Sequence, residues 1–485
     1  MSNGNIERRT FLRRASGAAA AALGSRLPRP TGAMAATTNR KPNILYILCD
    51  QWRAQDVGYA GNGEVRTPNI DRLATESVNL TNAVSACPVC SPYRASLLTG
   101  KYPLSNGVFV NDVYLRPDED SFPRVLNRAG YDTGIIGKWH LDGHGSRSSF
   151  IPRERRQGFR FWRALECTHD YNKSYYFGDE DIRHTWEGYD AIAQTNEARN
   201  YIRDHRNGAP FFLYLSWGPP HAPYLTAPEK YRDMYDGASL TLRPNVPKER
   251  EEEARRDIAG YYAHMTALDD CVGMLVETLR ECGIEDNTIL VFTADHGDML
   301  YSQNSMKKQQ PWEESIRVPF LVRYPETLGN RGREIDMPIS TPDIMPTLLG
   351  LSGVTVPGSV EGSDYSGVLT GRTTPSNECS LIMCPHPFGQ WSKRIGGREF
   401  RGVRTRRYTY ARDLNGPWLL FDNWMDEYQL NNLVNRQSTS SLKKHLDSLL
   451  DRKLDETGDR FLPGMDYIRE FGYTVDETGT VPYTM

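Results

Sequence analysis

The sequence lacks the features that would place it in several large classes of proteins. No apolar run approaches the roughly 20 residues of a transmembrane helix, and there is no internal repeat and no low-complexity tract beyond one alanine run near the N-terminus. The 58 lysines and arginines do not exceed the 61 aspartates and glutamates, so no basic excess predicts a nucleic-acid partner. What remains is the composition of an ordinary globular protein, whose 485 residues are enough for one large domain and a smaller one.

Cysteine is scarce, and this argues against a fold held together by disulfides. Eight cysteines in a chain of this length form no dense framework, and their pairing cannot be read from spacing. Cys87 and Cys90 do form a C-x-x-C pair, for which a thioredoxin-like redox site is the alternative interpretation. Such a site would begin a helix in a small domain, whereas a proline and an arginine follow Cys90 within a large α/β pattern. We therefore predict that only Cys90 is chemically special and that Cys87, like Cys49, is a small buried apolar residue.

The first 35 residues have the pattern of an export signal. Arg8-Arg9 precede Phe11-Leu12, a short alanine run and the small residues Ala33-Met34-Ala35. The paired arginines predict the twin-arginine type, with the twin-arginine translocation machinery as a partner and a periplasmic or secreted location. A basic, frayed N-terminal helix is the alternative. Removing residues 1–35 takes away six arginines and one glutamate, which changes the formal net charge from −3 to about −8.

Short apolar runs alternate with helical patterns along most of the chain. Five runs have the continuous apolar character of buried parallel strands, at residues 42–50, 133–139, 210–217, 287–295 and 318–325. Apolar side chains at spacings of three and four predict a long amphipathic helix over 249–283. Further helices are predicted at 121–130, 191–205 and 343–353. This alternation predicts an α/β fold with a large, mostly parallel sheet sandwiched by helices.

The pattern changes near residue 376. Short alternating segments separated by turn residues follow at 379–389, 400–413 and 417–434, and a last helix is predicted at 438–456. These segments predict an antiparallel sheet with a helix. The predicted organisation is therefore an export signal at 1–35, a catalytic α/β domain at 36–375 and a smaller C-terminal α+β domain at 376–485.

Polar residues of catalytic type follow the predicted strands. They are Asp50, Lys138, His140, His221, Asp295 and His296. Each one alone has a structural explanation, such as a helix cap, a surface lysine or a hydrogen-bonded histidine. Because ligands bind outside the carboxyl ends of the strands in open α/β sheets, we expect these side chains to converge on one site.

The residues after Cys87 carry a specific motif. Cys90-Ser91-Pro92-Tyr93-Arg94 is followed by Leu97-Leu98-Thr99-Gly100, and this resembles the signature of type I sulfatases, C-x-P-x-R followed by a leucine-threonine-glycine run. Five further blocks resemble the same family in the same order, at residues 42–53, 137–141, 218–224, 293–300 and 307–320. Tyr93 departs from the more common serine. The resemblance implies the alkaline-phosphatase-like sulfatase fold for the catalytic domain.

The resemblance also implies a covalent mechanism. In this family the cysteine at the position of Cys90 is oxidised to formylglycine, an aldehyde, by a formylglycine-generating or sulfatase-maturating enzyme. The hydrated aldehyde supplies a metal-activated hydroxyl that attacks sulfur and forms a sulfo-enzyme intermediate. The alcohol leaves, and the second hydroxyl expels sulfate to regenerate the aldehyde. This would make the protein a sulfuric ester hydrolase.

Other residues receive roles from the same resemblance. Arg94, Lys138 and Lys308 would hold the sulfate group and stabilise its charge in the transition state. His140 would assist turnover of the diol, while His221 and Lys308 would protonate the departing alcohol. Alignment of the W-E-E-S-I-R-V-P run places the family's second lysine at Lys308.

A metal site is implied as well. Its ligands would be Asp50, Gln51, Asp295, His296 and residue 90. Oxygen-rich sites of flexible geometry suit calcium, with magnesium as the alternative. Many sulfatases have a second aspartate where Gln51 stands, and the amide leaves the site with one negative charge less. The histidine at 296 replaces the asparagine of other branches.

The expected substrate is a sulfated carbohydrate, and the residues that contact the sugar are the least determined. Aromatic and polar segments at 111–115, 164–181 and 384–391 are loop-like. Loops on a rigid scaffold usually determine specificity. We expect Asn111, His169 and His386 to reach the sugar, and loop packing is the alternative for each.

Two other functions remain open from the sequence. A phosphonate or phosphodiester hydrolase of the same superfamily shares the formylglycine and both metal-binding pairs. A sulfated-glycan-binding protein, whose cysteine is never converted, belongs to a different class. The intact catalytic positions favour the sulfatase over this second alternative.

Overall fold

The short apolar runs of the sequence form β-strands, as their patterning predicts. The computed structural model describes residues 40–483, so the predicted export signal lies outside the described residues. The strands are β1 (Asn43–Asp50), β2 (Val78–Leu80), β3 (Ala83–Val84), β4 (Asp132–Lys138), β5 (Phe161–Leu165), β6 (Tyr175–Phe177), β7 (Arg183–Thr185), β8 (Phe211–Pro220), β9 (Thr288–Ala294), β10 (Phe320–Arg323), β11 (Arg333–Ile335), β12 (Ile339–Ser340), β13 (Cys379–Cys384), β14 (Phe400–Thr405), β15 (Tyr408–Asp413) and β16 (Gly416–Asp422).

Ten of these strands form one mixed sheet in the order β11-β2-β10-β9-β1-β8-β4-β5-β6-β7. Its centre is parallel, since β1 pairs in parallel with β8 and β9, and β4 pairs in parallel with β8 and β5. The predicted large, mostly parallel sheet is thereby confirmed.

The direction of one strand was wrongly predicted. The run at 318–325 forms β10, which pairs antiparallel with both β9 and β2. A continuous apolar run indicates that both faces of a strand are buried, but it carries no information about the direction of the chain.

Helices cover the sheet and include those predicted from periodicity. They are α1 (Pro68–Ala74), α2 (Cys90–Thr99), α3 (Pro103–Asn106), α4 (Phe122–Arg128), α5 (Asp190–His205), α6 (Glu229–Arg232), α7 (Glu251–Glu281), α8 (Glu313–Ile316), α9 (Pro325–Leu328), α10 (Thr341–Leu351), α11 (Ser366–Leu369), α12 (Ser440–Thr457) and α13 (Gly464–Glu470). No helix in residues 40–483 is both long enough and apolar enough to cross a bilayer.

Helix α7 shows why the periodicity was informative. The apolar stripe predicted along it is fully buried, from Ile258 to Leu279, and the helix packs against α5 and β8. Three glutamates in its first turn complement the positive end of the helix dipole.

Helix α2 carries the cysteine motif and has clear limits at both ends. Val89 is extended, so the helix begins at Cys90, and Gly100 ends it in the left-handed region with φ 64°. A Cβ atom at residue 100 would lie 2.7 Å from the Val360 side chain, so this close contact also favours glycine. Tyr93 faces the sheet, where its hydroxyl lies 3.0 Å from that of Tyr46 on β1.

The C-terminal region forms the predicted antiparallel sheet, in the order β13-β14-β15-β16, with α12 packed against it. The sheet is joined to the catalytic part by an ion pair between Arg404 on β14 and Glu313 on α8, with 2.7 Å between Nε and Oε1. From Lys41 onward the chain forms one compact unit. The domain boundaries at residues 35 and 376 stay predictions.

Candidate active site

Four neighbouring strands deliver polar residues to one edge of the large sheet. Asp50 is the last residue of β1 and Lys138 the last residue of β4, while His221 and Asp295 directly follow β8 and β9. These four strands are consecutive in the sheet and parallel, so their carboxyl ends meet. The convergence expected from the sequence therefore results from the parallel pairing itself.

The thiol of Cys90 lies at the centre of this edge. Its Sγ atom is 2.9 Å from Nζ of Lys308, 3.4 Å from Nε2 of His296 and 3.6 Å from Oδ1 of Asp50. All ten residues of α2 are buried, so the thiol is enclosed as well as surrounded by charge. In a chain converted to formylglycine, the oxygens of residue 90 would take the place of this sulfur.

The surrounding charges change the acidity of the thiol. Burial and Asp50 raise the pKa of Cys90, but Lys138, Lys308 and His296 lower it more, and the net pKa lies well below the ordinary value. The site therefore favours negative charge at residue 90.

Four side chains can hold a metal ion together. Ligand atoms of Asp50, Cys90, Asp295 and His296 all lie within 4.8 Å of one another, and all four residues are buried. Nδ1 of His296 donates to the carbonyl oxygen of Gly297 at 2.9 Å, which leaves Nε2 free to bind a metal. Burial and the charge of Asp50 raise the pKa of Asp295, and a cation would relieve this crowding of carboxylates.

Gln51 presents an oxygen that fits the same site. Its Nε2 donates to Asp298 at 2.6 Å, while its Oε1 is buried without a hydrogen-bond partner among the described residues. Its backbone is held by Asp295, which accepts from the Gln51 N–H at 2.9 Å, and by the hydroxyl of Tyr261, which donates to the Gln51 carbonyl at 2.6 Å. A buried amide oxygen without a donor is what a hard divalent cation requires, so the residues present fit a metal.

Arg94 lies behind the carboxylates of the candidate metal site. Its guanidinium is fully buried and is absent from the walls of the substrate cavity. Nη2 is 3.3 Å from both Asp50 and Asp295, and Nη1 donates to the Ser216 hydroxyl at 2.6 Å. Arg94 thus contacts the two metal-site carboxylates from behind, and its contact with sulfate stays a prediction.

Lys138 and Lys308 do face the cavity. Nζ of Lys138 lies 2.6 Å from Asp50, and the pKa of this lysine is raised, since Asp50 and Cys90 outweigh the opposing effect of burial. Lys308, rather than its neighbour Lys307, contacts Cys90. The alignment choice of Lys308 thus agrees with the geometry.

His140 is held by a residue that the sequence analysis missed. Nε2 of His140 lies 2.8 Å from Oδ1 of Asp112, and the other Asp112 oxygen accepts from Arg147 at 2.9 Å. Burial lowers the pKa of His140, but the charge of Cys167 and the hydrogen bond with Asp112 raise it to about 9. Asp112 has a positive φ of 65°, which no local sequence signal predicts.

His221 directly follows β8 and lines the same cavity as His140. Its Nδ1 donates to the carbonyl oxygen of Ala222 at 2.7 Å, which leaves Nε2 for the substrate. The ring stacks on His169 with 4.5 Å between ring centroids. Burial and the charge of Lys308 lower the pKa of His221, so the ring is neutral before an anionic substrate arrives.

A cavity of about 160 Å³ opens over these residues. It is lined by Cys90, Asn111, Asp112, Lys138, His140, Arg147, His169, His221, Lys307, Lys308, Phe388, Gly389, Gln390 and Thr480. Two of the three expected sugar contacts, Asn111 and His169, belong to this lining. Asn111 also has a structural task, since its Oδ1 accepts from the backbone N–H of Ser91 at 3.0 Å.

His386 is not part of the cavity lining, and its contact with the sugar stays a prediction. The residue is buried, and its Nε2 donates to the carbonyl oxygen of Gly479 at 3.1 Å. The C-terminal chain covers the ring, which sequence patterning could not reveal. Gln390, four residues further along the chain, does line the cavity and was not predicted from the sequence.

Cys87 and Cys49 are buried, as predicted. All eight are free thiols, including Cys87 and Cys90. Burial raises the pKa of Cys87 to about 12 and that of Cys49 well above its ordinary value. The geometry therefore gives no support to a redox pair.

Comparison with known proteins identifies the family. A family model described as sulfatase matches residues 42–354, and a second, described as N-sulphoglucosamine sulphohydrolase, C-terminal, matches residues 304–456. An ulvan-active sulfatase of Formosa agariphila is 44% identical over 448 residues, which cover 91% of this chain and 87% of that protein.

Solved structures agree with this assignment. A Bacteroides thetaiotaomicron protein, described with the metabolism of multiple glycosaminoglycans, has a TM-score of 0.79 at 30% identity and covers 89% of this chain and 99% of that one. The phosphonate monoester hydrolase of Agrobacterium radiobacter shares the fold, with a TM-score of 0.70 at 22% identity over 86% of this chain and 96% of that one. From the buried site and these matches together, the chain belongs to the sulfatase family and is an enzyme that hydrolyses sulfate esters.

Proposed function

We propose that this sulfatase removes sulfate from a carbohydrate, with Cys90 converted to formylglycine and a divalent cation, calcium by preference, bound beside it. The observation that carries the proposal is the surroundings of Cys90: the side chains of Asp50, His296 and Lys308 all lie within 3.6 Å of its sulfur. If residue 90 only stabilised the fold, an apolar side chain would serve better than a buried thiol among charged groups.

The metal would be held by Asp50, Gln51, Asp295 and His296. When bound, a divalent cation supplies positive charge that polarises the sulfate group and favours ionisation of a hydroxyl at residue 90. Oxygen donors dominate this set, which favours calcium, with magnesium as the alternative. Arg94 keeps both aspartates ionised and in place from behind, with 3.3 Å between its Nη2 and each carboxylate.

The remaining side chains bind the sulfate group or transfer protons. Lys138 and Lys308 place two ammonium groups against the anionic sulfate. Asp112 fixes the His140 ring through Nε2, so Nδ1, which has no hydrogen-bond partner among the described residues, is the atom that exchanges a proton with residue 90. His221 is fixed through Nδ1, so its Nε2 is the atom that donates to the departing alcohol oxygen once the substrate's charge has raised its pKa.

The carbohydrate class rests on the relatives and on the cavity. The Formosa agariphila relative is named for activity on ulvan, a sulfated polysaccharide. The cavity offers hydrogen-bonding side chains, among them Asn111, Gln390 and Thr480, beside the cationic ones. These polar groups suit the hydroxyls of a sugar better than an apolar aglycone.

Substitution of Cys90 by alanine tests the proposal. The variant is expected to lose hydrolysis of both aryl sulfates and sulfated oligosaccharides, whereas the matched variant Cys87→Ala retains it. Mass spectrometry of the tryptic peptide that carries residue 90 should show a loss of about 18 Da relative to cysteine. An active Cys90→Ala variant would contradict the proposal, and an unconverted peptide in an inactive protein that was produced together with a maturating enzyme would favour the glycan-binding alternative.

A phosphonate or phosphodiester hydrolase is the second candidate, since the Agrobacterium radiobacter enzyme has the same fold. Matched sulfate, phosphonate and phosphodiester esters of one phenol decide between the two. We expect the sulfate ester to have the highest kcat/KM.

We further propose that the protein is exported. Arg8-Arg9 and the small residues at 33–35 are the support for a twin-arginine signal, and a maturating enzyme would act on Cys90 before export.

A further inference from the structure

Part of the substrate cavity is built by the C-terminal region and takes no part in the chemistry. The residues concerned are Phe388, Gly389, Gln390 and Thr480, which line the cavity together with the catalytic side chains. All four follow the last strand of the large sheet in the sequence. We call these residues, with the tail segment 476–483, the C-terminal wall.

The wall is fixed to the segment that carries Lys308. The next residue, Gln309, is fully buried and forms two hydrogen bonds with the backbone of Phe388: its Oε1 accepts from the N–H at 3.1 Å, and its Nε2 donates to the carbonyl at 2.9 Å. The Gln309 N–H donates to the carbonyl of Pro88, two residues before Cys90, at 3.1 Å. Residues 388–390 are thus held at a set position relative to both catalytic segments.

The tail is fixed to the wall in turn. The N–H of Gly389 donates to the carbonyl of Thr478 at 3.0 Å, and a turn over residues 476–480 is closed by the N–H of Asp476, which donates to the carbonyl of Thr480 at 2.9 Å. Val481 is 6% exposed, so the tail is anchored on the protein at this residue.

The end of the tail reaches the other side of the site. The hydroxyl of Tyr483 donates to Oε1 of Glu166 at 3.4 Å. Glu166 is buried and also accepts from the backbone N–H groups of Leu141, Asp142 and Gly143, the loop that directly follows His140. The tail therefore runs between the Lys308 side and the His140 side of the cavity.

One atom of the wall points to a ligand. Nε2 of Gln390 is buried and has no hydrogen-bond partner among the described residues, although Gln390 lines the cavity. An unpaired buried donor costs free energy unless a ligand accepts from it. A sugar hydroxyl in the cavity would satisfy it.

We propose that the C-terminal wall closes the cavity, so that it accepts a single sulfated sugar at the end of a glycan chain and Gln390 positions that sugar. The proposal rests on the carbohydrate sulfatase function given above. The cavity of about 160 Å³ is well below the roughly 300 Å³ at which pockets for drug-sized ligands begin. A glycan that continued in both directions from the sulfated sugar would have to displace this anchored wall.

Sulfated oligosaccharides of defined length test the proposal. The wild-type enzyme is expected to release sulfate from the terminal sugar only, as read by mass spectrometry of the products. A chain that ends after Val475 is expected to release internal sulfates as well and to show an at least tenfold higher KM for the terminal one, with aryl sulfate hydrolysis retained. A small aryl sulfate does not need the wall, so it reports on the chemistry alone.

Point variants decide the matter if the shortened chain does not fold. Gln390→Ala should raise KM for the oligosaccharide about three- to tenfold, the range of one lost neutral hydrogen bond, and should raise it more than KM for an aryl sulfate. The matched control is Gln437→Ala, at an exposed glutamine that follows β16 in the sequence and is not part of the cavity lining. Thr480→Trp should block the oligosaccharide.

The possible outcomes separate this proposal from the one on which it rests. Release of internal sulfates by the wild type, at a rate comparable to that of terminal ones, would overturn the wall proposal alone. So would an unchanged KM in Gln390→Ala together with full activity of Thr480→Trp. Failure of the wild type on both aryl and sugar sulfates would overturn both proposals.

Discussion

The contribution of Asp112 to catalysis can be tested by substitution. Asp112 contacts His140, yet it lies outside the six sequence blocks that resemble the sulfatase family. Asp112→Asn keeps the shape but removes the charge that pairs with His140 and Arg147. We expect kcat for an aryl sulfate to fall roughly 100-fold, the low end of what general acid–base groups contribute, with little change in KM.

The control for this prediction is Asp118→Asn, which breaks an ion pair with Lys101 away from the catalytic side chains. Asp112→Glu should recover part of the rate. Equal rates for the Asn variants at 112 and 118 would show that Asp112 has no catalytic influence.

Gln51 gives a second prediction at this scale, on metal affinity. Gln51→Ala removes the unpaired buried oxygen, and the Kd for calcium, measured by calorimetry on chelator-treated protein, is expected to rise at least about tenfold. Gln55→Ala is the matched control, since its amide lies four residues along the chain and makes no hydrogen bond among the described residues. Chelation should abolish turnover in the wild type, and calcium should restore it better than magnesium. An unchanged Kd in Gln51→Ala would remove Gln51 from the site.

The location of a residue could be predicted from the sequence where a motif lies at the end of a predicted strand. Asp50, Lys138 and Asp295 could be predicted because each ends or follows a buried strand, and parallel pairing brings such ends together. The surroundings of Arg94, His386 and Asp112 could not be predicted, since they depend on contacts between segments far apart in the chain. A motif shows that an arginine is needed but not which anion it meets.

Helix α5 begins with an aspartate whose pKa is determined by burial more than by its position at the start of the helix. Asp190 begins this helix with its Oδ1 buried and without a hydrogen-bond partner among the described residues. Burial raises its pKa to about 8, whereas an unfolded aspartate titrates near pH 4. The folded form thus holds a proton that the unfolded form releases between about pH 4 and pH 8, so this group's stabilising contribution is lost as pH rises through that window.

Asp190→Asn should therefore raise the free energy of unfolding more at pH 8 than at pH 5, as measured by urea denaturation at the two values. Asp204→Asn, at an exposed position on the same helix, should show no such difference. A stabilisation that is equal at both pH values would contradict the assigned protonation.

The elements themselves were predictable to different degrees. Helix α7 and strands β1, β4, β8 and β9 were found because their apolar patterns are long or continuous. Strands β5, β6 and β7 were missed, since they are short and β7 is exposed throughout. The antiparallel direction of β10 depends on the path of the chain between elements, which periodicity does not describe.

For the whole molecule, the family match covers the described fold, while export remains to be tested. Replacement of Arg8 and Arg9 by lysine should leave the precursor in the cytoplasm, as followed by cell fractionation. Replacement of Arg13 and Arg14 by lysine is the matched control and should permit export. Export of the first variant would show that the paired arginines do not specify the route.

The burial of α2 has a consequence for when this enzyme acquires its activity. Cys90 is 1% exposed, and every residue of its helix is enclosed between the sheet and α10. A second protein cannot reach this segment once folding is complete, so the proposed oxidation of Cys90 would have to occur on the nascent or still-extended polypeptide. Under this proposal, material made in a host without a maturating enzyme should stay permanently inert, even when it is fully folded and supplied with a divalent cation.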